Sequence, residues 1–412
     1  MELTTDFFRK TYQENQESVI WGKLSLQNLE KKQVSNSNNN LEKRFIFLID
    51  TSYSMNQELE NGLTKKEKLI QALKKLVKSN FLNNNYISIY SFDKFSEIVL
   101  DDRKILGNND IVTLDAIDLL KEKGGRATYS GKGLENILER SQIDDGQLAK
   151  VILFTDGLDF DEERAKVAVE SLRKEKIYTS VVGLGEEYGS QFLLEVADIG
   201  RGSFYHIDSI EKFFNEIKEE IVVSNSTDFV SADLNFRFTN YVIPQKVYKI
   251  GKNGINEIEQ DEDGEYALGS LSVEDNILFK VDLEPVEFGI YRIFTGGLDT
   301  GEIRSEFRGV IEVEESLGHE YPNPEVQELI QIVTLYEKSK EIEKLRSQGR
   351  EKEIEKKLKE MKPMASDLGM KDLITEFIDA DDIMANMSAN FTRMLLTETK
   401  TKTLRSSGAP DF

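Results

Sequence analysis

The chain has 412 residues, 53 Lys and Arg against 75 Asp and Glu, a formal net charge of −22 and no cysteine. That length holds two or three domains, and the lack of thiols excludes disulfides, thiol catalysis and thiolate metal sites. With His206 and His319 as its two histidines it has too few parts for a His-dependent zinc centre or a Ser-His-Asp triad, and its acidity disfavours nucleic acid and anionic membranes as partners, since both call for a basic surface. Residues 1–10 include Glu2 and Asp6 and lack the apolar core of a signal peptide. No apolar run approaches the ~18 residues needed to cross a bilayer. The expectation is a soluble, cytoplasmic protein.

In chain order, Phe7, Phe8 and Tyr12 read as one apolar edge of a short helix within the polar residues 1–16. Residues 19–29 have strand character, with alternation clearest at Leu24 and Leu26, and residues 34–40 are a polar loop. The N-terminal segment 1–41 thus holds a strand with nothing nearby to pair it, and it is expected to join a later β-domain. From 42 to 223 strands and helices alternate, the signature of a parallel sheet covered on both faces. Its first strand, Phe45-Ile46-Phe47-Leu48-Ile49, is apolar on both sides and stops at Asp50-x-Ser52-x-Ser54. A carboxylate and two hydroxyls at alternate positions suit a hard cation such as Mg²⁺. A serine that merely caps the next helix fits this short turn as well.

Thr64 and Glu67 form a capping box before a helix with Leu69, Leu73, Leu76 and Val77 on its apolar face. A strand over 86–92 and an edge partner over 95–100 follow, then a helix over 111–120. The Gly124-Gly125 turn presents Thr128 ahead of a helix over 133–140, and a second buried strand over 151–155 ends on Asp156. Helices over 161–174, 191–197 and 210–223 alternate with strands over 177–182 and 202–206. The run from Gly125 to Lys132 is not a P-loop, because Gly133 stands where Ser or Thr should meet Mg²⁺.

Between 228 and 315 the period changes to two, with strands over 232–238, 265–271, 276–283, 289–294 and 307–313, which predicts an antiparallel β-sandwich. Asp261-Glu262-Asp263-Gly264 reads as a hairpin turn and lacks the spacing of a calcium loop. A stiff hinge at Tyr321-Pro322-Asn323-Pro324 opens a helical region over 322–395, a hairpin of helices over 325–346 and 350–361 with a third helical segment over 373–387. The last residues, 396–412, lack an apolar period and read as a mobile tail. Thr397, Thr399, Thr401, Thr403, Ser406 and Ser407 lie there among Lys400, Lys402 and Arg405. Such a tail suits a kinase and, once modified, a phosphothreonine-binding partner.

Asp50-x-Ser52-x-Ser54, Thr128 and Thr155-Asp156-Gly157 together closely resemble the von Willebrand factor A domain and its metal-ion-dependent adhesion site. They match, in order, the family's DxSxS, its distant threonine and the aspartate of its TDG loop. Tyr53 stands where glycine is frequent, and Ala127 lengthens the usual Gly-Gly-Thr approach. The resemblance implies a Rossmann-like, doubly wound α/β domain over 42–223. It also implies Mg²⁺, with Mn²⁺ or Ca²⁺ as substitutes, held by Asp50, Ser52, Ser54, Thr128 and Asp156. A partner protein would supply an Asp or Glu to the ion, and the chain would act as a non-enzymatic interaction module or scaffold. The domain order and the Asn323-Pro324-Glu325-Val326 sequence resemble bacterial stand-alone A-domain proteins, some linked to kinase and phosphatase signalling. The competing reading is a metal-dependent hydrolase with Asp159 or Asp161 as its base.

Overall fold

A computed structural model describes residues 2–27, 42–58, 62–141, 143, 147–156, 158–185, 189–207, 210–252, 254–318, 320–369, 397 and 399. The chain forms two compact units. One is built from residues at the two ends of the sequence and the other chiefly from residues 40–226.

The chain opens with strands β1 (Glu2–Phe7), β2 (Thr11–Gln13) and β3 (Ser18–Gln27), so the short helix expected around Phe7 and Tyr12 is absent. Leu3 and Phe7 are buried at even spacing on β1, and a strand face explains them better than a helical stripe. In the α/β unit, β4 (Lys43–Asp50), β5 (Tyr86–Phe92), β6 (Ser96–Lys104), β7 (Leu148–Thr155), β8 (Ile177–Leu184) and β9 (Arg201–Ile207) form one sheet in the order β6-β5-β4-β7-β8-β9. The strands run parallel except β6, which is antiparallel to β5. Phe45 through Ile49 are at most 3% exposed, as a strand covered on both faces requires.

Helices α1 (Lys65–Val77), α2 (Ile111–Leu119), α3 (Ser130–Arg140), α4 (Glu162–Lys174), α5 (Ser190–Ile199) and α6 (Ile210–Asn225) follow their strands. Leu69 and Leu73 of α1, Ile117 of α2 and Phe213 and Ile217 of α6 share one core with Phe47, Ile49, Ile152 and Phe154. The helix α3 starts three residues earlier than the sequence suggested, which brings Thr128 almost to its N-terminus. The chain leaves β4 for β5 on one side and later returns to β7 on the other. The C-terminal ends of β4 and β7 therefore flank the point where strand order reverses, the place where open α/β sheets bind ligands.

The remaining strands are β10 (Phe229–Phe238), β11 (Val242–Gly251), β12 (Gly254–Glu257), β13 (Glu265–Leu271), β14 (Asn276–Leu283), β15 (Gly289–Asp299) and β16 (Arg304–Glu314). With β1, β2 and β3 they form two five-stranded sheets, ordered β1-β3-β14-β11-β12 and β13-β10-β15-β16-β2. β3 pairs with β14 from Ser18 opposite Leu283 to Ser25 opposite Asn276, so an N-terminal strand lies inside a sheet formed mostly after residue 227. The inner faces meet in a phenylalanine cluster, with Phe279 5.6 Å from Phe236 and 5.2 Å from Phe294. Gly22 leaves room for it, since a Cβ there would lie 2.2 Å from Phe279 Cζ. Sequence patterning missed β11 and β12. Pro244 interrupts β11, and the register shifts by a bulge between Pro244 and Lys246.

Helices α7 (Pro324–Ser347) and α8 (Glu351–Asp367) complete this unit. The segment read as a hinge is also a helix start: Asn323 Oδ1 accepts from the N–H groups of Glu325 and Val326, with Pro324 at the first helical position. The second helix runs on past the expected end, through Pro363. The helical segment expected over 373–387, the loop 34–40 and most of the tail lie outside the described residues. Thr397 and Thr399 contradict a mobile tail at their positions. They are 1% and 0% exposed, and the His206 N–H donates to Thr397 Oγ1 at 2.9 Å. Among the described residues no helix is long and apolar enough to cross a membrane.

Candidate metal centre

Asp50 ends β4 and Asp156 follows the last residue of β7, so the pairing of these neighbouring strands sets the two carboxylates side by side at one sheet edge. Both are buried, at 0% and 1% exposure. The Asp50 carboxylate accepts from the Ser52 N–H at 2.8 Å through Oδ1 and from Thr155 Oγ1 at 2.7 Å through Oδ2. Beyond Asp50 the chain enters a single 3₁₀ turn over Tyr53–Asn56, anchored by the fully buried Met55. That turn folds the two serines onto the same point: their hydroxyls lie 2.9 Å apart, and Ser54 Oγ donates to Asp156 Oδ1 at 2.7 Å. Neither serine side chain caps this turn.

The Gly-rich loop closes over this cluster by backbone contacts. Gly125 bridges to Ser52, and its N–H reaches the Thr51 carbonyl at 3.3 Å. A Cβ on Gly125 would lie 2.2 Å from Asp93 Oδ2, so the close approach needs glycine there. Thr128 is 4% exposed, and its carbonyl accepts from the Phe160 N–H at 2.9 Å, which ties the threonine loop to the loop after Asp156. The structure thus joins Asp50, Ser52, Ser54 and Asp156 through side-chain and main-chain hydrogen bonds and holds Thr128 in the adjoining loop.

Three participants were given no role of their own from the sequence. Thr155 orients Asp50, and Asp93 carries the Tyr129 N–H on its carbonyl at 3.1 Å. The third is Lys65. Its Nζ lies 2.6 Å from Asp156 Oδ2 and 2.9 Å from Gln57 Oε1, with 6% of its side chain exposed. The cue was its position. Lys65 is the first residue of α1, where the helix dipole repels a cation, so a buried lysine there requires a carboxylate partner.

Burial pushes the Asp50 carboxyl up to about 7; the Ser52 N–H opposes this rise and the Asp156 charge adds to it. Two carboxylates sealed together in this way gain from a cation between them. The donor set suits a hard divalent ion, with carboxylate and hydroxyl oxygens and no soft ligand. Asp159 and Asp161, the candidate bases, instead cap α3: they accept from the N–H groups of Ser130 and Gly131 at 3.0 and 3.1 Å. The loops after Asp50 and Asp156 also expose large apolar side chains, namely Tyr53, Leu158 and Phe160, and the Phe160 ring lies 5.8 Å from that of Tyr129.

Residues 45–158 match the family model described as the von Willebrand factor type A domain. A curated relative, the uncharacterized protein YfbK of Escherichia coli K12, is 28% identical over 202 residues, 46% of this chain. The match spans only 33% of the length of that relative. Among solved structures, a von Willebrand factor type A protein from Catenulispora acidiphila aligns with a TM-score of 0.77 at 13% identity, covering 97% of this chain and 96% of the other. The ArnB paralog VWA2 from Sulfolobus acidocaldarius aligns with a TM-score of 0.60 at 20% identity, over 98% of each chain. At these identities the likeness is one of fold.

Proposed function

We propose that the α/β unit is a divalent-ion-dependent protein-interaction module. Asp50, Ser52, Ser54, Thr128 and Asp156 would hold the ion, with Mg²⁺ as the natural occupant and Mn²⁺ or Ca²⁺ as substitutes. When bound, the ion supplies Lewis acidity toward an incoming carboxylate. The residues of the chain do the rest. The two aspartates offset the ion's charge, and the neutral hydroxyls order it without cancelling its remaining charge. Thr155 and the Ser52 N–H hold Asp50 in place. The observation that carries this reading is the burial of two carboxylates at the ends of paired strands, with the Ser52 and Ser54 hydroxyls converging on them.

The exposed Tyr53, Leu158 and Phe160, on the loops that follow Asp50 and Asp156, would supply apolar contact beside the ion, so the ligand we infer is an Asp or Glu of a partner protein flanked by apolar residues. We adopt binding over hydrolysis because Asp159 and Asp161 each direct an oxygen at the start of α3, and among the described residues no hydrogen bond ties either of them to the Asp50–Asp156 cluster. A role as a scaffold in a cytoplasmic signalling or stress assembly is the wider setting we propose for it. The test is affinity capture by the full chain in Mg²⁺ and in EDTA, beside the Asp50→Asn variant, together with a phosphoester hydrolysis assay. Partners held in Mg²⁺ and released both by EDTA and by the substitution support the reading. Capture indifferent to both, or turnover that depends on Asp50, overturns it.

A further inference from the structure

Lys65 gives the site a property that the five oxygen ligands alone do not. Asp156 has its two oxygens engaged by two donors, Ser54 Oγ at 2.7 Å and Lys65 Nζ at 2.6 Å. An ion that takes Asp156 must compete with that ammonium for Oδ2. The lysine cannot move far. It is fixed at the start of α1 by the Thr64–Glu67 capping box, its N–H reaches the Gln57 carbonyl at 3.2 Å, and its stem packs against Gly185, where a Cβ would lie 3.1 Å from Cε. Displaced from Oδ2, the ammonium keeps Gln57 Oε1 as a partner and stays close to the ion. Like charges at that range in a buried site repel strongly.

We propose that Lys65 is the specificity-determining residue of the centre: it competes with the divalent ion for Asp156 and makes firm ion retention depend on an incoming carboxylate. This rests on the reading of the site as a divalent-ion centre. The charge balance carries it. Two aspartates and a divalent ion are neutral together, and the lysine leaves one positive charge in excess, which one carboxylate from a partner removes. Without Lys65 the ion and the two aspartates balance by themselves, and the added carboxylate has less to neutralise. The lysine therefore lowers affinity for the bare ion and raises the coupling between ion and acidic ligand.

The experiment measures Mn²⁺ affinity of the full chain by calorimetry and by electron paramagnetic resonance, in chloride and in acetate at equal ionic strength. Wild type is compared with Lys65→Met and with Lys65→Gln, which retains an N–H donor for Asp156 and serves if the methionine variant does not fold. The neutral variants are expected to bind Mn²⁺ at least tenfold more tightly than wild type in chloride. Acetate is expected to tighten binding severalfold in wild type and by less than twofold in the variants. Unchanged or weaker Mn²⁺ affinity in both variants, beside a wild type that binds, overturns the role of Lys65 and leaves the centre standing. Failure of wild type and both variants alike to bind Mn²⁺ overturns the ion-centre reading itself.

Discussion

Strand β7 has a buried lysine–carboxylate pair near each end, and the two pairs differ in what surrounds them. Toward its start, Lys150 pairs with Glu220 of α6, with 7% and 0% of the side chains exposed. Glu220 is further held by Ser180 Oγ of β8 at 2.6 Å and by the Tyr205 hydroxyl of β9. Past its other end, Lys65 pairs with Asp156 at 6% and 0% exposure. There the carboxylate meets a second one, Asp50, at the C-terminal ends of β4 and β7. The first pair joins donors and acceptors fixed by the sheet and reads as structure. The second sets a cation against a carboxylate that has another use. Burial and pairing alone do not identify a functional site. What sets the second pair apart is a second buried carboxylate, Asp50, and two serine hydroxyls converging on the same strand ends.

The comparison breaks most visibly at Glu220. Glu220→Gln leaves the Lys150 ammonium buried against a neutral amide, and removing one partner of a buried pair costs about 3–5 kcal/mol. Urea unfolding should show that loss in Mg²⁺ and in EDTA alike. A loss that Mg²⁺ reverses would show the two ends to be coupled.

Asp50→Asn should act in the opposite way. Wild type at an ion concentration 100 times its dissociation constant gains about 2.7 kcal/mol by linkage. The variant should gain nothing from the ion, while its stability in EDTA stays level or rises, since an amide mimics the protonated carboxyl that burial favours. Asp156→Ala is a poorer probe of the same idea. It removes a ligand but also strands the Lys65 ammonium, so it should lose stability in EDTA as well.

The pH dependence sharpens the contrast further. The folded Asp50 carboxyl, at about 7, lies above its ordinary 3.8, so the folded state binds the proton more tightly than the unfolded chain. Its contribution to stability is fully present below about pH 4 and is lost as pH rises through about 7. Thermal unfolding in EDTA should therefore show a decline over that window that Asp50→Asn lacks. Added Mg²⁺ reverses the trend, because the ion needs the ionised form, and its stabilising effect should grow as pH rises through 7. An Asp50→Asn profile parallel to that of wild type would assign the decline to other groups.

Much of this was legible before any coordinates. The apolar run from Phe45 to Ile49 forces a doubly covered strand, and Asp50, Ser52 and Ser54 follow it immediately. Asp156 directly follows an equally apolar strand, so the parallel pairing of the two strands brings the aspartates together. Lys65 was hidden because the capping box and the apolar face of α1 already accounted for that segment. Nothing in a helical period shows which carboxylate a lysine at the helix start will meet. The strands β1 and β2 were missed because Phe7 and Tyr12 are too few to separate a period of two from one of 3.6. Thr397 and Thr399 lie in an alternation of threonine with charged residues that reads as solvated, and their burial depends on contacts distant in sequence, such as the bond from His206.

The smallest effect belongs to a third lysine–carboxylate pair. On α4 of the same unit, Lys174 lies 3.2 Å from Glu170, one helical turn away, with 69% and 49% of the side chains exposed. The glutamate precedes the lysine by four residues, which is the favourable order, and Lys174 also sits in the last turn of the helix, where a cation suits the dipole. By geometry alone this pair resembles the other two. Water, however, screens it and solvates either partner when the other is removed. Lys174→Gln should change stability by no more than about 0.5 kcal/mol, leave Mn²⁺ affinity within twofold of wild type, and lose what little effect it has in 0.5 M salt, a concentration chosen because the screening length is then only about 3–10 Å. That result would assign the consequences of Lys150 and Lys65 to their burial. An effect on Mn²⁺ affinity comparable to that of Lys65→Met would mean that net charge, rather than the contact with Asp156, tunes the ion, and the special position of Lys65 would be lost.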